Sequence, residues 1–327
     1  MKVREIREVT ASYIKEKPIY LLVAALFIVS SLVIPYFFTR SNIINIFFQA
    51  SDLIIVSCGL TFVILNGGID FSITAVLGLS SIIGAMLMNM NTGLLRNSPF
   101  NVPLSLLVML LIGVLIGSIN GLAVSRLKMP SFIATMSTNL LFGGIALAIA
   151  NSKPVSNFPK AFMAIGRGKV IGLPVVIIIA VVVVACLQFL LFKTVFGKRV
   201  FAIGTNMRAS VVTGLPVKQT IFFMFLISGV VSSIGGIVST ARIGVGMPAL
   251  GAERFIDFMS AVVLGGTSVF GGIGSIVGTF FGALFVATLS NALSMLGLQW
   301  YFIMVAKGVI IVIIAAFDAI KRFGGND

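Results

Sequence analysis

The sequence predicts an all-α polytopic membrane protein of about ten transmembrane helices, each needing roughly 20 mainly apolar residues. Two observations carry this expectation. Hydrophobic residues make up 58% of the 327 and charged residues only 10%, against about 25% charged in an ordinary soluble domain. Uncharged apolar runs such as Gly172 to Phe192 and Thr220 to Ala241 are each long enough to cross roughly 30 Å of hydrocarbon as a helix.

In chain order, residues 1–18 carry Lys2, Arg4, Arg7, Lys15 and Lys17 with Glu5, Glu8 and Glu16. That is too polar for a cleaved signal peptide, and it reads as a cytoplasmic tail. A first helix is expected from about Ile19 to Phe38. The second, over about 43–65, contains Asp52, which implies a polar bundle interior or a boundary elsewhere. Gly67 and Gly68 then break the apolar run, and Asp70 stands where an N-cap would open the third span, 70–90. Further spans fall at 103–125, 130–150 and 172–192. A cytoplasmic loop over 193–219 follows, in which residues 206–213 suit a short helix with Asn206 near its start. The last spans are 220–241, 256–271, 275–296 and 300–320. Nothing between them approaches the roughly 100–150 residues of a soluble domain, so any ATPase, kinase or receptor domain would be a separate chain.

The net charge of +14 does not point to nucleic acid, because the cations fall in short segments between apolar runs with no aromatic-interleaved basic stripe. The Lys/Arg bias places both termini in the cytoplasm. Lys153, Lys160, Arg167 and Lys169, all in one outer loop, run against it, and Arg242 and Arg254 also fall on the outer side. The chain has no histidine, which removes the commonest general base. Cys58 and Cys186 lie in apolar runs without CxxC spacing and read as packing residues. Gly274, Gly278 and Gly282 form a small-residue stripe suited to close helix packing, and no GxxxxGK[ST] phosphate loop occurs. Leu65, Gly67, Gly68, Gly84 and Ala85 echo Val263, Gly265, Gly266, Gly282 and Ala283 at constant separation, the pattern of an internal repeat.

Charges inside the membrane are the natural functional candidates. Asp318 reads as a solvated end charge beside Lys321 and Arg322. Asp257, after Glu253 and Arg254, suits the positive end of a helix dipole. Lys307 faces protein or a water-filled path, or snorkels to an interface. Asp70 is either a capped helix turn or part of a permeation path.

Four motifs taken together resemble a known family. They are Thr61-Phe62-Val63-Ile64-Leu65-Asn66-Gly67-Gly68-Ile69-Asp70-Phe71-Ser72, Pro130-Ser131-Phe132-Ile133-Ala134-Thr135, the loop around Ala202-Ile203-Gly204-Thr205-Asn206, and Ala261-Val262-Val263-Leu264-Gly265-Gly266-Thr267-Ser268. In this order and spacing, over about 40–315, the chain is similar to the membrane permease subunits of ribose-type ABC importers. Asn66 departs from the pattern, since many members carry a small hydroxyl residue or glycine there. The resemblance implies a single transmembrane permease domain over 1–327 with the ten-helix fold of cobalamin-type (type II) permeases, in a bacterial plasma membrane. It implies a pathway formed with a second permease copy or a paralogue, and an extracytoplasmic solute-binding protein that delivers a monosaccharide. A cytoplasmic ABC ATPase would bind ATP and Mg, leaving this chain without a cofactor or catalytic residue. The coupling element would be the loop around Gly204, Asn206, Arg208, Ala209 and Gly214, and Asn66, Asp70 and Lys307 are the pathway candidates. The competing class is an ion-coupled secondary transporter, for which Asp70 and Asp52 would bind the ion. An intramembrane enzyme lacks support, as there is no HExxH, GxSxG or histidine.

Overall fold

The computed structural model describes residues 19–323; the 1–18 tail lies outside the described residues, as does the side chain of Asp318. Helices α1 (Ile19–Val33), α2 (Arg40–Leu65), α3 (Ile73–Met88), α4 (Asn101–Ser125) and α5 (Ser131–Ile149) precede an excursion between spans. That excursion holds α6 (Lys160–Arg167) and a small antiparallel hairpin of β1 (Lys169–Val170) and β2 (Leu173–Pro174), with Lys169 opposite Pro174. Then come α7 (Val175–Lys193), α8 (Val195–Thr205), α9 (Met207–Val212), α10 (Val217–Ile243), α11 (Phe255–Leu264), α12 (Ile276–Met295) and α13 (Trp300–Phe323). Six of these, α2, α4, α5, α7, α10 and α12, are long and apolar enough to cross a membrane. The chain is an all-helical polytopic membrane protein.

Helix α2 is mainly apolar and is buried without interruption from Ala50 to Leu65, as a mostly apolar helix in the middle of a bundle must be. Around it pack α7, α10, α11 and α12. Helices α4, α5 and α7 instead expose Leu107, Leu111, Leu141, Val182 and Phe189, side chains as apolar as the lipid tails they meet. The most extensive helix seam joins α4 to α10. Gly113 meets the Gly229 carbonyl, Gly117 meets Phe225 and Leu226, and Gly121 meets Phe222. Rising numbers on one helix against falling numbers on the other make this an antiparallel, backbone-to-backbone contact. It is the small-residue packing expected in lipid, on a stripe that sequence reading passed over.

Several boundaries differ from expectation for local reasons. Helix α1 stops at Val33, because the chain turns back through Tyr36 at φ 62° before reaching Phe38. Helix α3 begins at Ile73, and Ser72, not Asp70, occupies its N-cap position. The span expected over 256–271 is the ten-residue α11, about 15 Å long and too short to cross alone. Gly274 precedes the N-cap Ser275 and packs on the Thr267 side chain, so only Gly278 and Gly282 of the predicted stripe are helical.

The internal echo does not hold in its stated register; α2 and α11 share only a type of helix ending, which α9 and α12 also have at Gly214 and Gly297. Helices α2 and α11 both end in the same cap, with left-handed glycines Gly67 (φ 71°) and Gly266 (φ 82°). Gly68 N–H donates to the Val63 carbonyl at 3.1 Å and Thr267 N–H to Val262 at 3.2 Å, the long bond of a Schellman motif. Gly67 thus corresponds to Gly266, not Gly265. The match does not extend to Gly84, which meets Met109, whereas Gly282 meets Ala261 and Gly265.

Between α10 and α11 the chain descends into the bundle. Gly246 packs on Ala85 and Ser81, the Met247 N–H donates to Ser81 Oγ at 3.1 Å, the Pro248 carbonyl lies against Gly78, and Gly251 rests on Thr74. From Ala85 to Thr74 is about 16 Å along α3. Irregular backbone at such depth is tolerated only when buried in protein or lining a water-filled cavity.

Candidate functional site

Two of the four motifs and the turn that follows a third meet at the C-terminal end of α2. The Leu65 carbonyl accepts the Gly272 N–H at 2.8 Å. A side chain at Gly204, near the end of α8, would collide with that same carbonyl and with the Gly272 backbone. Gly271 (φ 90°) lies against the Leu65 and Gly204 carbonyls and the Gly67 nitrogen. The loop, the broken helix and the turn after α11 therefore touch backbone to backbone here, flanked by Phe62 stacked on Phe196 and by Val63 and Ile203 in one apolar cluster. Asn66 caps α2, half-buried, with its Oδ1 enclosed and unpartnered among the described residues.

Beyond Gly204 the chain breaks once more at Asn206, where the Oδ1 accepts the Ala209 N–H at 2.9 Å and so opens α9. Gly214 (φ 76°) closes it, with the Leu215 N–H bonded back to Ser210 at 3.1 Å. Arg208 and Ala209 are exposed on this helix, as are Met207, Val211 and Val212. Removing the cap in Asn206→Ala is expected to cost about 1 kcal/mol. Faster amide hydrogen exchange confined to 207–212 would register it; unchanged exchange there would discount the cap.

The fourth motif supports the break from the side. Ser131 Oγ accepts the Ile69 N–H at 3.1 Å, and Thr135 Oγ1 donates to the Ile69 carbonyl at 3.1 Å. Asp70 is buried among hydroxyls. Its Oδ1 accepts the Ser72 N–H and hydroxyl, and its Oδ2 accepts Ser228 Oγ of α10 at 2.7 Å. The chain of bonds continues from Asn120 Nδ2 to Ser72 Oγ at 2.8 Å and from Thr138 Oγ1 to Asn120 Oδ1 at 2.8 Å. Asp70 thus ties the interrupted segment to α4, α5 and α10. No ion pair to it occurs among the described residues.

The other carboxylates hold cations. Asp52, fully buried on α2, accepts from Ser239 Oγ at 2.8 Å and pairs with Arg242 at 3.0 Å and with Arg254. Each guanidinium also lies near a ring, Arg242 near Phe48 and Arg254 near Phe258. Phe255, beside Arg254, stacks on Phe71 with centroids 4.1 Å apart. Asp52 marks a polar bundle interior, not a misplaced boundary. Its arginine partners were missed because both sit outside the apolar runs. On α11, Asp257 receives Lys307 Nζ at 3.0 and 3.1 Å. The pair shares a lining with Val286 and Leu289 of α12, about 15 Å above that helix's start. Lys307 and Asp70 belong to separate clusters, whereas Gly204 and the Asn66 break belong to one.

Six helices long and apolar enough to cross a membrane, with ionised groups paired among them, define an integral-membrane protein of the transport class. The chain belongs to the family described as branched-chain amino acid transport system / permease component, which matches residues 42–314. It is therefore a transport subunit and not an enzyme. It is 35% identical over 310 residues to the ribose import permease of Haemophilus influenzae, covering 94% of each chain. It is 36% identical over 299 residues to the ribose import permease of Bacillus subtilis, covering 90% of each. To the D-allose transport system permease of Escherichia coli it is 35% identical over 299 residues, covering 91% of this chain and 90% of the other. No solved structure matches the chain.

Proposed function

We propose that this chain is the permease subunit of a binding-protein-dependent ABC importer that moves a ribose-like monosaccharide across a bacterial plasma membrane. Relatives named for ribose and D-allose support the sugar class. The observation that carries the mechanism is the backbone joint between Gly204, Leu65 and Gly272. A cytoplasmic ATPase, holding ATP and Mg, docks on α9, where Met207, Val211 and Val212 give it an exposed apolar face beside Arg208. Displacement of α9 passes through Asn206 and Gly204 to the cytoplasmic ends of α2 and the α11–α12 turn, biasing an inward–outward equilibrium. A joint of backbone contacts has little side-chain freedom to absorb the motion.

The 1–327 chain forms one permease domain with 193–219 as its coupling loop. Ten crossings result when α1, α3, α11 with its following turn, and α13 join the six long helices, in the cobalamin-type arrangement. A second permease copy completes the path, and a solute-binding protein delivers sugar at the opposite end. Lys307, with Asp257, lines the path. Asn66 lies at its cytoplasmic mouth, and Asp70 fixes the backbone beside it. Ion coupling finds little to use, since Asp52 is occupied by two arginines and Asp70 by hydroxyls.

The test is uptake by the permease reconstituted with its ATPase and binding protein, with ATP inside and no ion gradient. ATP-dependent ribose uptake is expected, and uptake that instead follows a proton or sodium gradient would overturn the reading. Asp70→Asn sharpens it. An amide has one acceptor oxygen, so one serine loses its partner at a cost of about 1–3 kcal/mol. Thermal stability falls while ATP-driven uptake persists in the folded fraction; complete loss of uptake at full stability would point to ion coupling.

A further inference from the structure

We infer that a basic pocket between the C-terminal end of α4 and the first turn of α10 is a binding site for the headgroup of an anionic phospholipid. The pocket has a volume of about 530 Å³; Ser125, Arg126, Lys218 and Gln219 form its polar lining, and Phe222 and Phe223 lie on its apolar side. It sits at the same end of the bundle as the Leu65 joint, because Val124 of α4 and Val217 of α10 share an apolar cluster with Val63.

The polar groups of this lining are not spent on the protein. The side chains of Arg126, Lys218 and Gln219 are exposed and make no hydrogen bond or ion pair among the described residues. Ser125 is only 6% exposed, and its hydroxyl also has no partner among the described residues. A hydroxyl so enclosed needs a ligand or a water to bond. Backbone donors add to the same charge. Helix α10 opens on Pro216 without a side-chain cap, and among the described residues the Lys218 and Gln219 N–H groups donate to nothing. These are the orphan donors and positive dipole end that suit a phosphate. On α4 the carbonyls that would repel an anion are taken up. Leu122 accepts the Arg126 and Leu127 N–H groups at 2.9 and 3.3 Å, and Ala123 accepts that of Met129 at 3.1 Å.

The surrounding surface identifies the occupant. On α4, Leu107, Leu111, Leu115, Ile119 and Leu122 are exposed at helical spacing along one face. Leu122 also lines the pocket, so an apolar track leads to its mouth, and Phe223 is exposed beside it. A headgroup held by Arg126 and Lys218 lays its acyl chains along that track, which a free phosphate would leave unused. Charge argues against a second copy of this chain. Of the carboxylates whose side chains are described, Asp70 is closed in by hydroxyls, and Asp52 and Asp257 hold their own cations. Glu253 adjoins Arg254, whose partner Asp52 lies about 20 Å along α2 from Leu65. A second copy therefore brings no free acid to this end, whereas the negative surface of a leaflet neutralises both cations.

Fluorescence quenching at the pocket tests this in the full-length permease reconstituted in phosphatidylcholine vesicles. The chain has one tryptophan, Trp300, so Phe223→Trp in a Trp300→Phe background reports from the pocket lining alone. Brominated phosphatidylglycerol is expected to quench at a mole fraction at least about fivefold lower than brominated phosphatidylcholine, the contribution of one cation near an anionic lipid surface. Arg126→Gln/Lys218→Gln is expected to abolish the preference, and Lys193→Gln/Lys198→Gln, two exposed cations of the same end outside the pocket, to leave it intact. Equal quenching by the two lipids would overturn the inference, and equal loss in both double variants would reduce it to diffuse surface attraction. Relief of quenching by millimolar inorganic phosphate would assign the pocket to a soluble anion instead. Failure of the ATPase to co-purify with Arg126→Gln/Lys218→Gln would assign it to that subunit, and either result would overturn the lipid site.

Discussion

Replacing Asp52 by leucine will destabilise the protein more than any other single change to its charged residues. The substitution leaves Arg242 and Arg254 together inside the bundle with no acid between them. Removing one partner of a buried pair costs about 3–5 kcal/mol, because the remaining charge stays desolvated. The 30% exposure of the Arg254 side chain draws the figure toward the lower bound. Arg254→Met is milder, since Asp52 keeps Arg242 at 3.0 Å and the cluster becomes neutral. The double variant Asp52→Leu/Arg254→Met falls between, leaving one cation near the Gln49 carbonyl. Thermal denaturation of purified permease should place Asp52→Leu lowest, the double variant next and Arg254→Met highest of the three. A wild-type midpoint for Asp52→Leu would show that the arginines find water or another acid.

Gly204→Val is expected to reduce ATP-driven uptake at least about tenfold while the ATPase still co-purifies. The added side chain meets the Leu65 carbonyl and the Gly272 backbone, and neither is the yielding end of a flexible chain. Overpacking of this kind costs about 1–3 kcal/mol, here directed at the joint where α8 seats on α2. Gly214→Ala supplies the contrast. Its left-handed backbone (φ 76°) penalises any side chain, yet the space around it is empty, so the cost is about 1–2 kcal/mol of local strain with no displaced neighbour. Uptake and ATP hydrolysis measured side by side decide the matter. Equal losses in both variants would mean that strain in the loop, not contact at the joint, governs coupling.

The features legible in the sequence are those written locally. Gly67 and Gly68 signal the end of α2 because a left-handed cap needs glycine there, and Asn206 signals α9 because its short amide can cap a helix. Apolar content identifies the spans, but it cannot measure them. The ten residues of α11 and the glycine-rich turn that follows read as one crossing, since both are equally free of charge. The arginines of Asp52 were hidden for a different reason. Arg254 lies 202 residues away in sequence, in a stretch that resembles an outer loop until the chain is seen to descend along α3. Both arginines had been counted against the positive-inside bias. Committed to Asp52, they leave fewer free outer cations and a clearer asymmetry than the raw tally shows. The hydroxyls bonded to Asp70 are likewise invisible, because Ser72 and Ser228 carry no periodic signal.

The brevity of α11 bears on how the protein is made. A translocating chain is sorted by segments of roughly 20 apolar residues, and charged residues near the middle of a segment count heavily against insertion. Residues 246–264 offer a half-length helix together with Glu253, Arg254 and Asp257. Such a segment has no stable place in the bilayer when it leaves the ribosome. It acquires one when α12 emerges behind it as the second arm of a hairpin and Asp52, synthesised long before, receives Arg254. Biogenesis of this permease is therefore expected to include a late step, in which an earlier-inserted bundle draws in a segment that the insertion machinery would pass over.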